Sequence, residues 1–79
     1  MDERVYVAIV QHKQGNNVYV SKSHSGVINQ VYEYVIDWWY DYNDSDSFIP
    51  EGKQTAVDQY FKNAEGFEWM TIDRMEVKD

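Results

Sequence analysis

The side chains of this 79-residue sequence that could do chemistry are two histidines, three closely spaced serines and a run of carboxylates in the middle of the chain. A closed zinc site takes four ligands, drawn mostly from cysteine and histidine. The chain has no cysteine, and His12 and His24 have no carboxylates beside them at ligand spacing, so both read as surface histidines at turn or boundary positions. A nucleophilic serine needs a base, and the base needs a third group to orient it. Ser21, Ser23 and Ser25 surround His24, but neighbours in a strand or helix point apart and no glycine-rich elbow encloses them. The segment from Asp41 to Asp46 has the oxygen-rich look of a calcium loop, which requires glycine at its sixth position and a bidentate glutamate at its twelfth. Counted from Asp41, those positions hold Asp46 and Gly52. Neither requirement is met, and the sequence reads as a non-enzyme without a metal or cofactor.

The carboxylates carry a different meaning as a group. Fourteen Asp and Glu against seven Lys and Arg leave a net charge of −7, which repels nucleic acid and anionic membrane and argues against direct binding to either. The acidity is central: residues 33–58 hold seven acids and only Lys53, whereas Arg4, Lys13 and Lys22 leave the first segment weakly positive. Glu33, Asp37 and Asp41 are four residues apart, so on a helix they follow one another at about 6 Å along the axis. Asp44 and Asp46 come just beyond. Such a row destabilises its helix by roughly 0.2–0.5 kcal/mol per like-charged pair with no structural return. It could imitate a run of phosphates, and the interleaved Trp39, Tyr40 and Tyr42 could stack on arginine. Glu33, Asp37, Tyr40, Asp41, Asp44 and Asp46 are therefore the expected contact edge for a basic protein surface, such as that of a nucleic-acid-binding protein. The plain alternative is a solvated face that only keeps the protein in solution.

The elements that must position this edge follow from periodicity. Val5 to Gln11 reads as a strand with apolar residues on both sides, Val5, Val7 and Ile9 against Tyr6, Ala8 and Val10, which suits a central strand. Gln14-Gly15-Asn16-Asn17 supplies turn chemistry and Val18-Tyr19-Val20 the returning strand of a hairpin. Ser23 and Ser25 offer helix-capping hydroxyls ahead of Val27, Ile28, Val31, Val35, Trp38 and Tyr42, an apolar stripe at helical spacing. After Pro50, a second stripe of Ala56, Val57, Tyr60, Phe61 and Ala64 predicts a helix over 53–63, closed near Gly66. From Phe67 to Val77 the pattern alternates again, Met70 and Ile72 opposite Trp69 and Thr71, until Asp73-Arg74 suggests a bulge or an early end.

The expected fold is a two-layer α+β domain of order β-β-α-α-β over residues 1–79, with a three-stranded antiparallel sheet in order 2-1-3 and two helices packed on one face. The other face would then leave Tyr6, Ala8, Val10, Tyr19 and Trp69 uncovered. A chain this small, without disulfides, buries only about 60–65% of its unfolded surface, so self-association through Tyr6, Val10, Tyr19 and Trp69 would add stability. A structural homodimer is accordingly the second functional reading, and a small enzyme or accessory subunit the third. No apolar run reaches membrane-spanning length, and the lack of cysteine and of a secretory-type leader points to a cytoplasmic setting. In size, charge and aromatic content the chain resembles the small acidic proteins of phages and mobile elements, some of which block restriction or CRISPR effectors by presenting DNA-like charge. The likeness is one of general character and implies an inhibitor that mimics nucleic acid.

Overall fold

The β-branched run around Val5–Val10 forms the middle of β1, Glu3–His12, which pairs on one side with β2, Gly15–Ser21, and on the other with β3, Trp69–Val77. The computed structural model that shows this describes residues 3–44 and 48–77, so the expected contact residue Asp46 lies outside the described residues. The sheet is antiparallel in order β2-β1-β3, with helices α1, His24–Tyr42, and α2, Lys53–Asn63, inserted between β2 and β3. This is the expected α+β arrangement. Among the described residues no helix is long and apolar enough to cross a membrane.

Local chemistry sets the boundaries. His12 pairs with Gly15, leaving Lys13 and Gln14 as the turn, two positions earlier than the Gln14–Asn17 run suggested. Gly15 has φ of +132°, a conformation that L side chains rarely adopt, so the glycine opens β2 while Asn16 and Asn17 already pair with β1. Ser23 caps α1, its hydroxyl accepting from the Gly26 amide at 3.0 Å. At the far end Asn43 donates to the Trp39 carbonyl at 2.9 Å and accepts from the Asn63 side chain at 2.6 Å, tying the ends of the two helices together. Pairing between β1 and β3 runs without interruption through Val7–Asp73, Tyr6–Arg74 and Val5–Met75. The bulge expected at Asp73-Arg74 does not occur.

The face on which the helices pack is the opposite of the one expected. Ala8 and Val10 are fully buried, and Tyr6 and Tyr19 pack against the same core. Of the proposed open-face set only Trp69 is on the open side, and Tyr6, Val10 and Tyr19 are not available there for self-association. The cause lies in β3, the strand with one clearly apolar side. Register places Ile72 beside Ala8 and Met70 beside Val10, so burying Met70 and Ile72 turns Ala8 and Val10 inward and sends Val5, Val7 and Ile9 outward with Thr71 and Asp73. Val18, Val20, Trp69 and Met75 share that outer face, each more than half exposed.

The core itself is a contiguous cluster. Val27, Ile28, Val31 and Val35 of α1 meet Ala8 and Val10 of β1, and Ala56, Val57 and Tyr60 of α2 join them. Helix α1 lies directly on β1 and β2, and α2 packs chiefly along the flank of α1. One turn of α1 departs from the expected stripe: Trp39 is fully buried and Trp38 is 45% exposed. Trp39 continues the four-residue steps from Val31 and Val35, whereas Trp38 is about 100° further back around the axis.

Candidate functional site

Both edges of the site are built by α1. On its outward side Glu33, Asp37 and Asp41 are all exposed, Tyr40 is 56% exposed, and Asp44 follows in the open just past the helix. These residues, expected in the contact edge, are brought together, the three helical acids within an arc of about 80°. Two other aromatics expected among them are not: Trp39 belongs to the core and Tyr42 turns its hydroxyl inward. Among the described residues the one ion pair is Arg4–Glu76, at 3.9 Å, and the row has no cation within that range. Lys53, the base nearest in sequence, sits over the Tyr32 ring at 5.5 Å.

The charge pattern of α1 works against the helix. Its first turn has no acid and its last turn no base, while Asp41 stands in the last turn beside the negative end of the helix dipole. Helix α2 likewise lacks an acid in its first turn, but it has Lys62 in its last turn, and an amide of Gln54 donates to Asp58 at 2.9 Å one turn on. Misplaced charge of this kind costs about 0.3–1 kcal/mol per group, added to the repulsion within the row.

Turning about 100° around α1 from the acidic row leads to a second stripe, Tyr34, Trp38 and Tyr42, spaced like the first. Tyr34 donates to Glu68 Oε1 at 2.7 Å, Tyr60 of α2 to the same oxygen at 2.9 Å, and Tyr42 to Glu68 Oε2 at 2.9 Å. Glu68 reaches this position because the chain turns sharply after α2. Phe67 and Glu68 both donate their amides to the Ala64 carbonyl, and Gly66, just before them, takes φ of +91°. Glu68 is 6% exposed and, among the described residues, has no cation within 4.0 Å. Three hydroxyl donors replace the water it has lost. Burial, then the hydrogen bond to Glu68, pushes the Tyr42 phenol up to about 12 and raises Tyr34 and Tyr60 well above the ordinary tyrosine value. The phenols therefore remain donors at any neutral pH.

Above this network lies a cavity of about 310 Å³. Tyr34, Trp38, Asp41 and Tyr42 line it from α1, Glu68 from below, and the β1–β2 hairpin closes it with His12, Lys13, Gln14 and Asn17. The His12 ring lies 5.9 Å from the Tyr34 ring, tilted by 30°. Its Nδ1 accepts from the Gln14 amide at 3.2 Å, which puts the imidazole proton on Nε2. That Nε2 is buried and has no partner. His12 is thus a wall of the cavity and not the free surface histidine that its turn position suggested, whereas His24 is exposed, edge-on to the Tyr6 ring at 5.5 Å.

Sequence reasoning missed Glu68, Tyr34 and Tyr60 as a group. A faint signal exists: Glu68 is a single acid between Phe67 and Trp69, and Tyr34, Trp38 and Tyr42 repeat every fourth residue. Asp41, the last acid of the helical row, also lines the cavity, and this joins the two. Comparison with protein-family models, with curated proteins and with solved structures finds no match for this chain.

Proposed function

We propose that this protein is a non-catalytic interaction module that presents the α1 acids, Glu33, Asp37 and Asp41 with Asp44 and Tyr40, to a basic surface on another protein, as a mimic of nucleic acid. The observation that carries the reading is charge placed against the helix's own stability. Asp41 stands at the wrong end of α1, and the three helical acids repel one another and have no cation within 4.0 Å among the described residues. Their spacing of about 6 Å gives a negative edge coarser than one DNA strand, whose charges follow every 3.4 Å or so, so steering would come from the field and selectivity from contacts beside it. Glu68 does not serve as a base in this reading, since its oxygens are already engaged by three hydroxyls.

The test compares the native chain with a Glu33→Lys/Asp37→Lys double variant as bait. Proteins of the host bound at low salt should be lost both on charge reversal and on raising salt to about 0.5 M, where screening is nearly complete at contact distances. Labelled DNA or RNA should then be displaced from a captured partner by the native chain. Capture that ignores charge reversal and salt would overturn the proposal.

A second reading, self-association, is favoured by one observation, the outer sheet face with Val18 60%, Val20 52%, Trp69 52% and Met75 54% exposed. Three strands of ten, seven and nine residues give a flat footprint of roughly 400 Å², well short of the ~800 Å² per partner of a standard stable interface. That deficit ranks it second. Sedimentation at micromolar concentration decides it, since a strictly monomeric species removes it.

A further inference from the structure

We infer that the cavity between α1 and the β1–β2 hairpin receives an arginine side chain of the partner, an inference that rests on the reading of the α1 acids as a contact for a basic protein. The walls carry the chemistry. Tyr34 and Trp38 present neighbouring rings with centroids 6.4 Å apart, and a guanidinium is the cation that stacks flat on such surfaces. Asp41, on the rim, is an exposed carboxylate able to take its fork. At the floor, Glu68 accepts from three hydroxyls and, among the described residues, has no cation within 4.0 Å, although Lys13 lines the same cavity.

Lys13 opposes this occupant. It lines the cavity, but its ammonium lies 5.9 Å from the centre of the Phe67 ring, itself stacked on Tyr42. A cation is therefore already held against an aromatic ring here, and removing it should favour a second one. At about 310 Å³ the cavity has room for an arginine side chain.

The experiment uses the full chain and N-acetyl-arginine-N-methylamide, followed by the indole N–H resonance of Trp38, identified by its loss in Trp38→Ala. The arginine compound should shift that resonance with a dissociation constant of roughly millimolar order, as expected for so small a ligand. The neutral citrulline analogue should bind at least about tenfold more weakly, Asp41→Asn should weaken arginine severalfold, and Lys13→Met should tighten it. No shift, or equal shifts with arginine and citrulline, overturns the inference, as does a larger shift with the N-acetyl-glutamate analogue. Failure here is separable from failure of the functional reading, because Glu33 and Asp37 do not line the cavity. Partner capture abolished by Glu33→Lys/Asp37→Lys with no arginine response at Trp38 leaves the acidic edge standing and removes the arginine site.

Discussion

The outward side of α1 and the outer face of the sheet lie on opposite sides of the same molecule, and each departs from what stability alone would select. Helix α1 accumulates like charge where its dipole and its neighbours resist it. The sheet exposes valines, a tryptophan and a methionine where polar residues would serve solubility. The two departures differ in kind. Exposed apolar area is the ordinary residue of a small fold with too few elements to cover both faces of a sheet. Concentrated charge on one helix face has no such default origin, because the same helix could hold alternating signs at no structural expense. The α1 side is thus the more informative surface, and it is also the side with the buried polar network and the cavity.

The sharpest way to break this contrast is through Glu68. Glu68→Ala leaves the buried hydroxyls of Tyr34 and Tyr60 and the part-buried one of Tyr42 without their acceptor and should cost about 4 kcal/mol, at 1–3 kcal/mol per buried orphaned group. Val18→Thr on the outer face should cost less than about 0.5 kcal/mol. Urea unfolding measures both, and similar losses would show that the two sides are energetically alike.

Alkali probes the same network without mutation. A phenol whose folded value is raised contributes its full stability below the unfolded value of 10 and loses it as pH climbs toward the folded one, about 12 for Tyr42. Tyr34 and Tyr60 are raised further. Tyrosinate absorbance should therefore show a late, cooperative rise that coincides with loss of near-ultraviolet circular dichroism. A titration with no such late step would remove the network from the account of stability.

Salt separates the two surfaces in sign. Any association through the outer sheet face should strengthen with added salt, as repulsion between chains of charge −7 is screened. Association through α1 should weaken by an order of magnitude or more between low salt and about 0.5 M. Val20→Lys should eliminate self-association and leave partner capture intact, and sedimentation with pull-down reads both. The smallest expected effect is the most specific. Asp41→Lys should stabilise the protein by about 0.5 kcal/mol, by placing a cation at the C-terminal end of α1, while weakening partner binding. A thermal midpoint that falls on this change would mean that Asp41 has a structural role.

The order of elements and the range of α2 were legible because turn residues and helical spacing act locally. The buried face of the sheet was not, since β1 is apolar on both sides and only its register with β3, a nonlocal property, chooses between them. For the same reason the exchange of Trp38 and Trp39 was hidden in two adjacent identical residues. Of the site, the exposed acids could be read from four-residue spacing. The tyrosine cluster could not, because Tyr34, Tyr42 and Tyr60 become neighbours of Glu68 only when α1, α2 and the turn before β3 are assembled.

Each of the three tryptophans occupies a different environment: Trp39 inside the core, Trp38 at the cavity mouth, Trp69 on the outer sheet. The protein thereby contains built-in optical gauges of its separate surfaces. Trp39 should emit toward the blue and resist collisional quenchers until the fold is lost. The other two should quench freely, Trp38 becoming shielded only when the cavity is filled and Trp69 only when something covers the strands.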